Sequence, residues 1–158
     1  MWFDKRPVGL FVPHTLENYG YVGIKPIGLA REMVLRVIAK RVDIRWVIRL
    51  RPNLEQAPKT DDRWYYNRWM KQVGCRVTID WKTKPAKLIK EAAFLVVQHS
   101  SMAVDALVMS KPIIVIEDEV SDVTGIYQGY EGAFDMARDE QGLQQAIERS
   151  LFLRRALG

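Results

Sequence analysis

The chain has 158 residues, one cysteine (Cys75) and two histidines (His14 and His99). Its net charge is +5, with 48% hydrophobic and 27% charged residues. This is the make-up of one globular domain over 1–158. It excludes an intrachain disulfide, and without CxxC or HxxxH spacing it lacks the ligands for a structural zinc site. The positive balance suits an anionic partner (phosphate, nucleic acid or an acidic membrane surface) without choosing among them.

The first residues, Met1-Trp2-Phe3-Asp4-Lys5-Arg6, are too short and polar for a signal peptide. Val8 to Val12 reads as a strand, and Pro13 to Pro26 as a loop with glycines at 20 and 23. From Ile27 to Arg41 the apolar positions Leu29, Met33, Val34, Val37 and Ile38 recur at helical spacing. Ile44 to Leu50 is a second strand, and Pro52 to Asp61 a loop, with Asp61 or Asp62 as helix cap. An aromatic-rich helix runs from Arg63 to Val73 and stops at Gly74. Its Trp64, Tyr65, Tyr66 and Trp69 are better spaced for packing against the sheet and snorkelling at the solvent edge than for stacking on bases.

Arg76 to Ile79 is a third strand. Lys84 to Ala92 is a helix with Pro85 in its first turn. Phe94 to Val97 is a fourth strand, Ser101 to Met109 a helix and Pro112 to Ile116 a fifth strand. A turn-rich stretch leads to a closing helix, Asp139 to Leu157, with Leu143, Ile147, Leu151 and Phe152 on one side. The apolar stretch from Ala92 to Ile116 is broken by Gln98-His99-Ser100-Ser101 and by Lys111-Pro112, so it does not read as a membrane span. Short, continuously apolar strands alternating with helices predict a parallel sheet covered on both faces. The expected fold is α/β: a Rossmann-like three-layer sandwich with a mostly parallel sheet of five to six strands.

Ligands of such folds bind outside the carboxyl ends of the strands. The candidate positions are therefore Pro13-His14-Thr15, Arg51-Pro52-Asn53, Asp80-Trp81, His99-Ser100-Ser101 and Glu117-Asp118. Ser100 and Ser101 open a helix, where hydroxyls and amide N–H groups can take an anion; the alternative is a plain N-cap. Asp105 lies four residues after Ser101, on the same helix face, and is the only charged residue between Ala93 and Ser110. A carboxylate in apolar surroundings needs a partner, and a ribose diol would serve; the alternative is an acid placed by the helix dipole. Arg51 can meet a phosphate bidentately, or can belong with Arg49 to a solvated basic rim that includes Arg31, Arg36, Lys40, Arg41 and Arg45. Trp81 is placed to face a base. His14 and His99 are the candidates for acid–base chemistry, although a lone histidine beside a strand is more often a hydrogen-bonded structural group.

Three stretches then form a familiar order: Leu88 to Val97, His99-Ser100-Ser101-Met102-Ala103-Val104-Asp105-Ala106-Leu107, and Lys111-Pro112-Ile113-Ile114. They resemble the C-terminal, donor-binding domain of GT-B-type transferases, closest to the CDP-glycerol glycerophosphotransferase and capsular polysaccharide group. UDP-N-acetylglucosamine 2-epimerases share the plan. Val47-Ile48-Arg49-Leu50-Arg51-Pro52, Glu117-Asp118, Tyr127-Gln128-Gly129-Tyr130 and Asp139-Glu140-Gln141-Gly142-Leu143 are similar to further parts of that domain, so the resemblance spans about residues 44 to 152. It implies that Ser100 and Ser101 contact donor phosphates, with Arg51 near them, and that Asp105 meets the ribose. It also implies a CDP- or UDP-linked donor as substrate, with no cofactor or metal required.

Asn53 stands where the family often has histidine. A second Rossmann-like domain, which presents the acceptor in GT-B enzymes, has no room in 158 residues. The resemblance therefore implies an acceptor-binding domain or subunit, or a homo-oligomer, as partner. The alternative is a non-catalytic nucleotide or sugar-phosphate binding module. No specific nucleic-acid motif occurs. The expected location is the cytoplasm, with peripheral contact at the inner membrane surface.

Overall fold

The computed structural model describes residues 4–14, 25–50, 62–98, 100–117 and 131–157. In chain order these form β1 (Val8–Val12), α1 (Lys25–Lys40), β2 (Arg45–Arg49), α2 (Asp62–Val73) and β3 (Thr78–Asp80). Then come α3 (Pro85–Glu91), β4 (Phe94–Val97), α4 (Met102–Val108), β5 (Ile113–Ile116), a 3-10 turn (Glu131–Ala133), β6 (Asp135–Ala137) and α5 (Glu140–Leu157). The strands make one six-stranded sheet in the order β3-β2-β1-β4-β5-β6, with every pairing parallel.

Side chains alternate across a strand, and both faces of this sheet are buried. Phe11, Trp46, Ile48, Phe94, Val96 and Ile114 face one layer, which α1 fills with Met33, Val34, Val37 and Ile38, α2 with Tyr66, and α5 with Leu143, Ala146 and Ile147. Leu10, Val12, Val47, Leu95, Val97 and Val115 face the other, covered by Leu88 and Ile89 of α3 and by Met102, Ala103 and Ala106 of α4. The result is the three-layer sandwich expected from the strand composition. Gly9 pairs with Trp46 and Phe94 at the centre of the sheet. It lets the Trp46 ring lie across the backbone: a Cβ there would meet Trp46 Cζ3 at 2.7 Å.

Punctuation also follows the sequence. Gly74 ends α2 in a left-handed conformation (φ 75°), its N–H donating to the Met70 carbonyl at 2.8 Å. Pro85 opens α3 at its first turn. Three expectations need correction. The stretch before α5 contains a sixth strand, β6, pairing with β5 through Ile114 to Asp135 and Ile116 to Ala137. Arg31 is not part of a solvated rim: it is 1% exposed, lies over the Tyr65 ring at 4.9 Å and donates to the Tyr66 hydroxyl. Phe152 does not share the buried side of α5 but is 69% exposed.

Candidate functional site

The strand order sets the position of the crevice. From β1 the chain leaves to α1 on one face, and from β4, its neighbour, to α4 on the other. The two connections diverge, so a gap opens at the carboxyl ends of β1 and β4, where open α/β sheets bind ligands. Pro13 and His14 stand on one side of it, Gln98 and Ser100 on the other. Gln98 ties the two sides together. Its backbone N–H donates to the Val12 carbonyl at 2.9 Å, and its Oε1 accepts the His14 N–H at 3.4 Å. The side chain is fully buried, and among the described residues its Nε2 has no hydrogen-bond partner. Sequence reasoning passed over Gln98, although a carboxamide closing the run Phe94-Leu95-Val96-Val97 was the available signal.

Ser100 and Ser101 have different roles. The Ser100 hydroxyl oxygen accepts the Met102 N–H at 3.2 Å, as a capping serine does. The Ala103 N–H is taken by the Ser100 carbonyl, and those of Val104 and Asp105 by the Ser101 carbonyl. The first-turn amides expected to hold phosphate are thus largely engaged within the chain. Ser101 is the N-cap residue and is exposed, and its side chain makes no cap hydrogen bond. Asp105 is exposed one turn further on. Water therefore solvates its carboxylate, and the desolvation cost inferred from its apolar sequence neighbours is not incurred. Ser101 and Asp105, four residues apart, lie on one side of α4.

The β2–β3 flank is held by a polar network. Arg49 is 5% exposed and pairs through Nη1 with Asp80 Oδ1 at 2.8 Å; the same nitrogen donates to the Thr83 carbonyl. Asp80 also accepts the Lys82 and Thr83 N–H groups, at 3.2 and 3.0 Å, and the Thr83 hydroxyl. Burial pushes the Asp80 carboxyl up, but the hydrogen bonds from Thr83 and then from Arg49 outweigh it and hold its pKa below the usual value. This network fixes the turn after β3. There the Trp81 ring packs on the first-face core between two cations, Arg63 at 4.6 Å and Lys82 at 5.5 Å. β3 is two strands from β1, which puts this turn about 10 Å from the crevice.

On the other flank Glu117, after β5, pairs with Arg138, after β6. Arg138 was not singled out in the sequence, because the strand before it was not foreseen. Thr15, Arg51, His99, Asp118 and 127–130 lie outside the described residues. Among the described residues no cluster of three or more His, Cys, Asp or Glu side chains is arranged to hold a metal ion. Likewise, no described helix is long and apolar enough to cross a membrane.

The described site thus offers an exposed hydroxyl and an exposed carboxylate on one helix face beside the switch point, groups able to hydrogen-bond a ligand that carries hydroxyls. No protein-family model matches the chain, and no curated protein matches it. Solved structures do. They share the fold described above, a Rossmann-like α/β sandwich. One such structure is KpsC of Thermosulfurimonas dismutans, a beta Kdo 2,4 transferase, which is similar over 89% of this chain at 15% identity with a TM-score of 0.52. The chain spans 40% of the length of KpsC. At this identity the likeness establishes a shared fold.

Proposed function

We propose that this chain is the donor-nucleotide-binding domain of a glycosyltransferase or glycerophosphotransferase of surface-polysaccharide synthesis, acting with a second domain or subunit that presents the acceptor. The observation that carries the reading is the β1–β4 switch point with Ser100, Ser101 and Asp105 beside it. The fold likeness to part of a beta Kdo 2,4 transferase supports it. In this reading a CDP- or UDP-linked donor lies across the carboxyl ends of β1 and β4. The Ser101 hydroxyl and Arg51 bind its phosphates, Asp105 accepts hydrogen bonds from the ribose hydroxyls, and Trp81 flanks the base. Catalysis is electrostatic: donors aimed at the leaving nucleotide stabilise the charge that develops on its phosphate. No metal or cofactor is invoked.

The test is a titration of isotope-labelled chain with CDP, UDP and CMP, read by amide chemical shifts. Saturable shifts at residues 100 to 105 with sub-millimolar affinity, a binding free energy of about −4 to −6 kcal/mol, are expected. No shift there with any of the three nucleotides contradicts the proposal. Turnover separates a transferase domain from a non-catalytic binding module. The chain alone should bind donor without transfer, because acceptor positioning is a large part of the rate enhancement. Transfer should appear when the acceptor-binding partner is added.

A further inference from the structure

Each of the helices α1 and α5 starts at the carboxyl edge of the sheet and ends at the amino edge, the side away from the candidate site. Three exposed apolar side chains lie where these two helices end. Val42, just after α1, is 74% exposed, while Phe152 and Leu153 in the last turns of α5 are 69% and 47% exposed. They belong to one surface. Arg41, next to Val42, pairs with Glu148 at 2.9 Å, and Phe152 is one turn beyond Glu148.

Cations surround this apolar group. Arg154 and Arg155 follow it directly and are exposed. Lys111 lies close to Arg154, at the start of β5. Partial burial, and then the Arg154 charge, push the Lys111 pKa down. Its Nζ donates to the Lys90 and Ala92 carbonyls at 3.0 and 2.8 Å, so the ammonium also neutralises the carboxyl end of α3, where Lys90 adds another charge. Arg6 and Arg45 stand at the start of β1 and β2. The acids of this edge are mostly spent on arginines. Asp4 pairs with Arg6 and lies 3.8 Å from Arg45, and Arg41 holds Asp43 as well as Glu148. Asp135, at the start of β6, pairs with Arg149 at 2.7 Å, and among the described residues Glu91 stands exposed at the end of α3.

We propose that this amino edge is a docking surface for an anionic phospholipid membrane. Phe152, Leu153 and Val42 would enter the headgroup–acyl boundary while Arg154, Arg155, Lys111 and Lys90 meet lipid phosphates. Apolar side chains ringed by cations bind such interfaces by area and charge together. A second copy of this chain is a poorer occupant, because it would bring the same cations against themselves. The arrangement leaves the carboxyl edge, and the candidate site, facing away from the bilayer.

The experiment is flotation of the 158-residue chain with vesicles of phosphatidylcholine alone or mixed with phosphatidylglycerol. Binding should require phosphatidylglycerol and weaken as salt rises. Arg154→Glu/Arg155→Glu should lower the partition constant at least about 25-fold, since each basic residue at such a surface contributes about fivefold. Phe152→Ser/Leu153→Ser should lower it about tenfold or more. Both pairs are exposed, so circular dichroism and melting of these variants should match the parent. Trp64→Ser, an exposed aromatic at the opposite edge, should leave binding unchanged. The proposal is overturned if the chain ignores anionic vesicles, binds neutral ones equally well, or loses binding with Trp64→Ser. It is also overturned if Phe152→Ser/Leu153→Ser converts a solution dimer to a monomer while vesicle binding stays intact.

Discussion

Replacing Asp80 with alanine tests whether the pair it forms with Arg49 is a structural support of the site edge. The carboxylate is the acceptor for the Arg49 guanidinium at 2.8 Å, for two backbone N–H groups and for the Thr83 hydroxyl. In Asp80→Ala, the Arg49 side chain, 5% exposed, keeps the Thr83 carbonyl and loses its counter-charge. Breaking a buried ion pair from one side costs about 3–5 kcal/mol. Asp80 is 17% exposed, so water reaches the gap and the lower end applies, about 3 kcal/mol. For a domain of this size that is a fall in Tm of about 6–12 °C. Arg49→Met in the same chain removes the stranded charge, so the double variant should be about 2 kcal/mol more stable than the sum of the single losses predicts. Because the Asp80 pKa is lowered on folding, its contribution is complete above the unfolded value, near 3.9, and is lost as pH falls through the folded value. The gap between parent and Asp80→Ala should therefore be widest near neutral pH and close in acid. Urea and thermal melts of the four proteins across this range give the answer. A Tm within about 2 °C of the parent, or strictly additive losses, would refute the assigned role.

Gly9→Ala places a methyl 2.7 Å from the Trp46 ring, which is held by an edge contact to Phe94 and by its Nε1–H to the Arg41 carbonyl. A loss of about 1–3 kcal/mol in urea unfolding is expected, and an unchanged midpoint would show that the sheet centre can relax. Asp105→Asn should weaken nucleotide binding by about 1.5–3 kcal/mol with no change in melting, since the side chain is exposed; calorimetric titration of the folded variant decides it. Ser100→Ala removes a cap bond and should cost about 1 kcal/mol of stability. Ser101→Ala should leave stability intact and reduce nucleotide affinity, and the reverse pattern would reassign the two hydroxyls.

The strands were legible in the sequence because burial on both faces writes a continuous apolar run. Phe94 to Val97 and Val8 to Val12 stand where periodicity put them. β6 was hidden for the opposite reason. Asp135-Met136-Ala137 has neither alternation nor β-branching, and tertiary pairing with β5 makes it a strand. Its leading carboxylate is drawn off by Arg149 at 2.7 Å, an ion pair that no local pattern announces. Arg31 and Phe152 show the limit of helical spacing. Their side-chain types suggest rim and core, but neighbouring helices decide which faces are covered, and α2 supplies the tyrosines that bury the arginine.

At the candidate site the residues beside the crevice followed from chain order alone, since a parallel sheet delivers every strand end to one edge. Which serine caps and which faces solvent depended on backbone geometry that a Ser-Ser pair does not encode. Gln98 escaped notice because its significance lies in pairing β4 with β1, which only strand order reveals.

The central claim is that the crevice between β1 and β4 holds a nucleotide. It is tested most directly by a nitrogen–proton correlation spectrum of the labelled chain recorded with increasing CDP, UDP or CMP. The account predicts saturable shifts at His14, Trp81, Gln98 and residues 100 to 105, lost in Asp105→Asn with the rest of the spectrum unchanged. Spectra unmoved by all three nucleotides, or shifts confined to the amino edge around Val42 and Phe152, would contradict it.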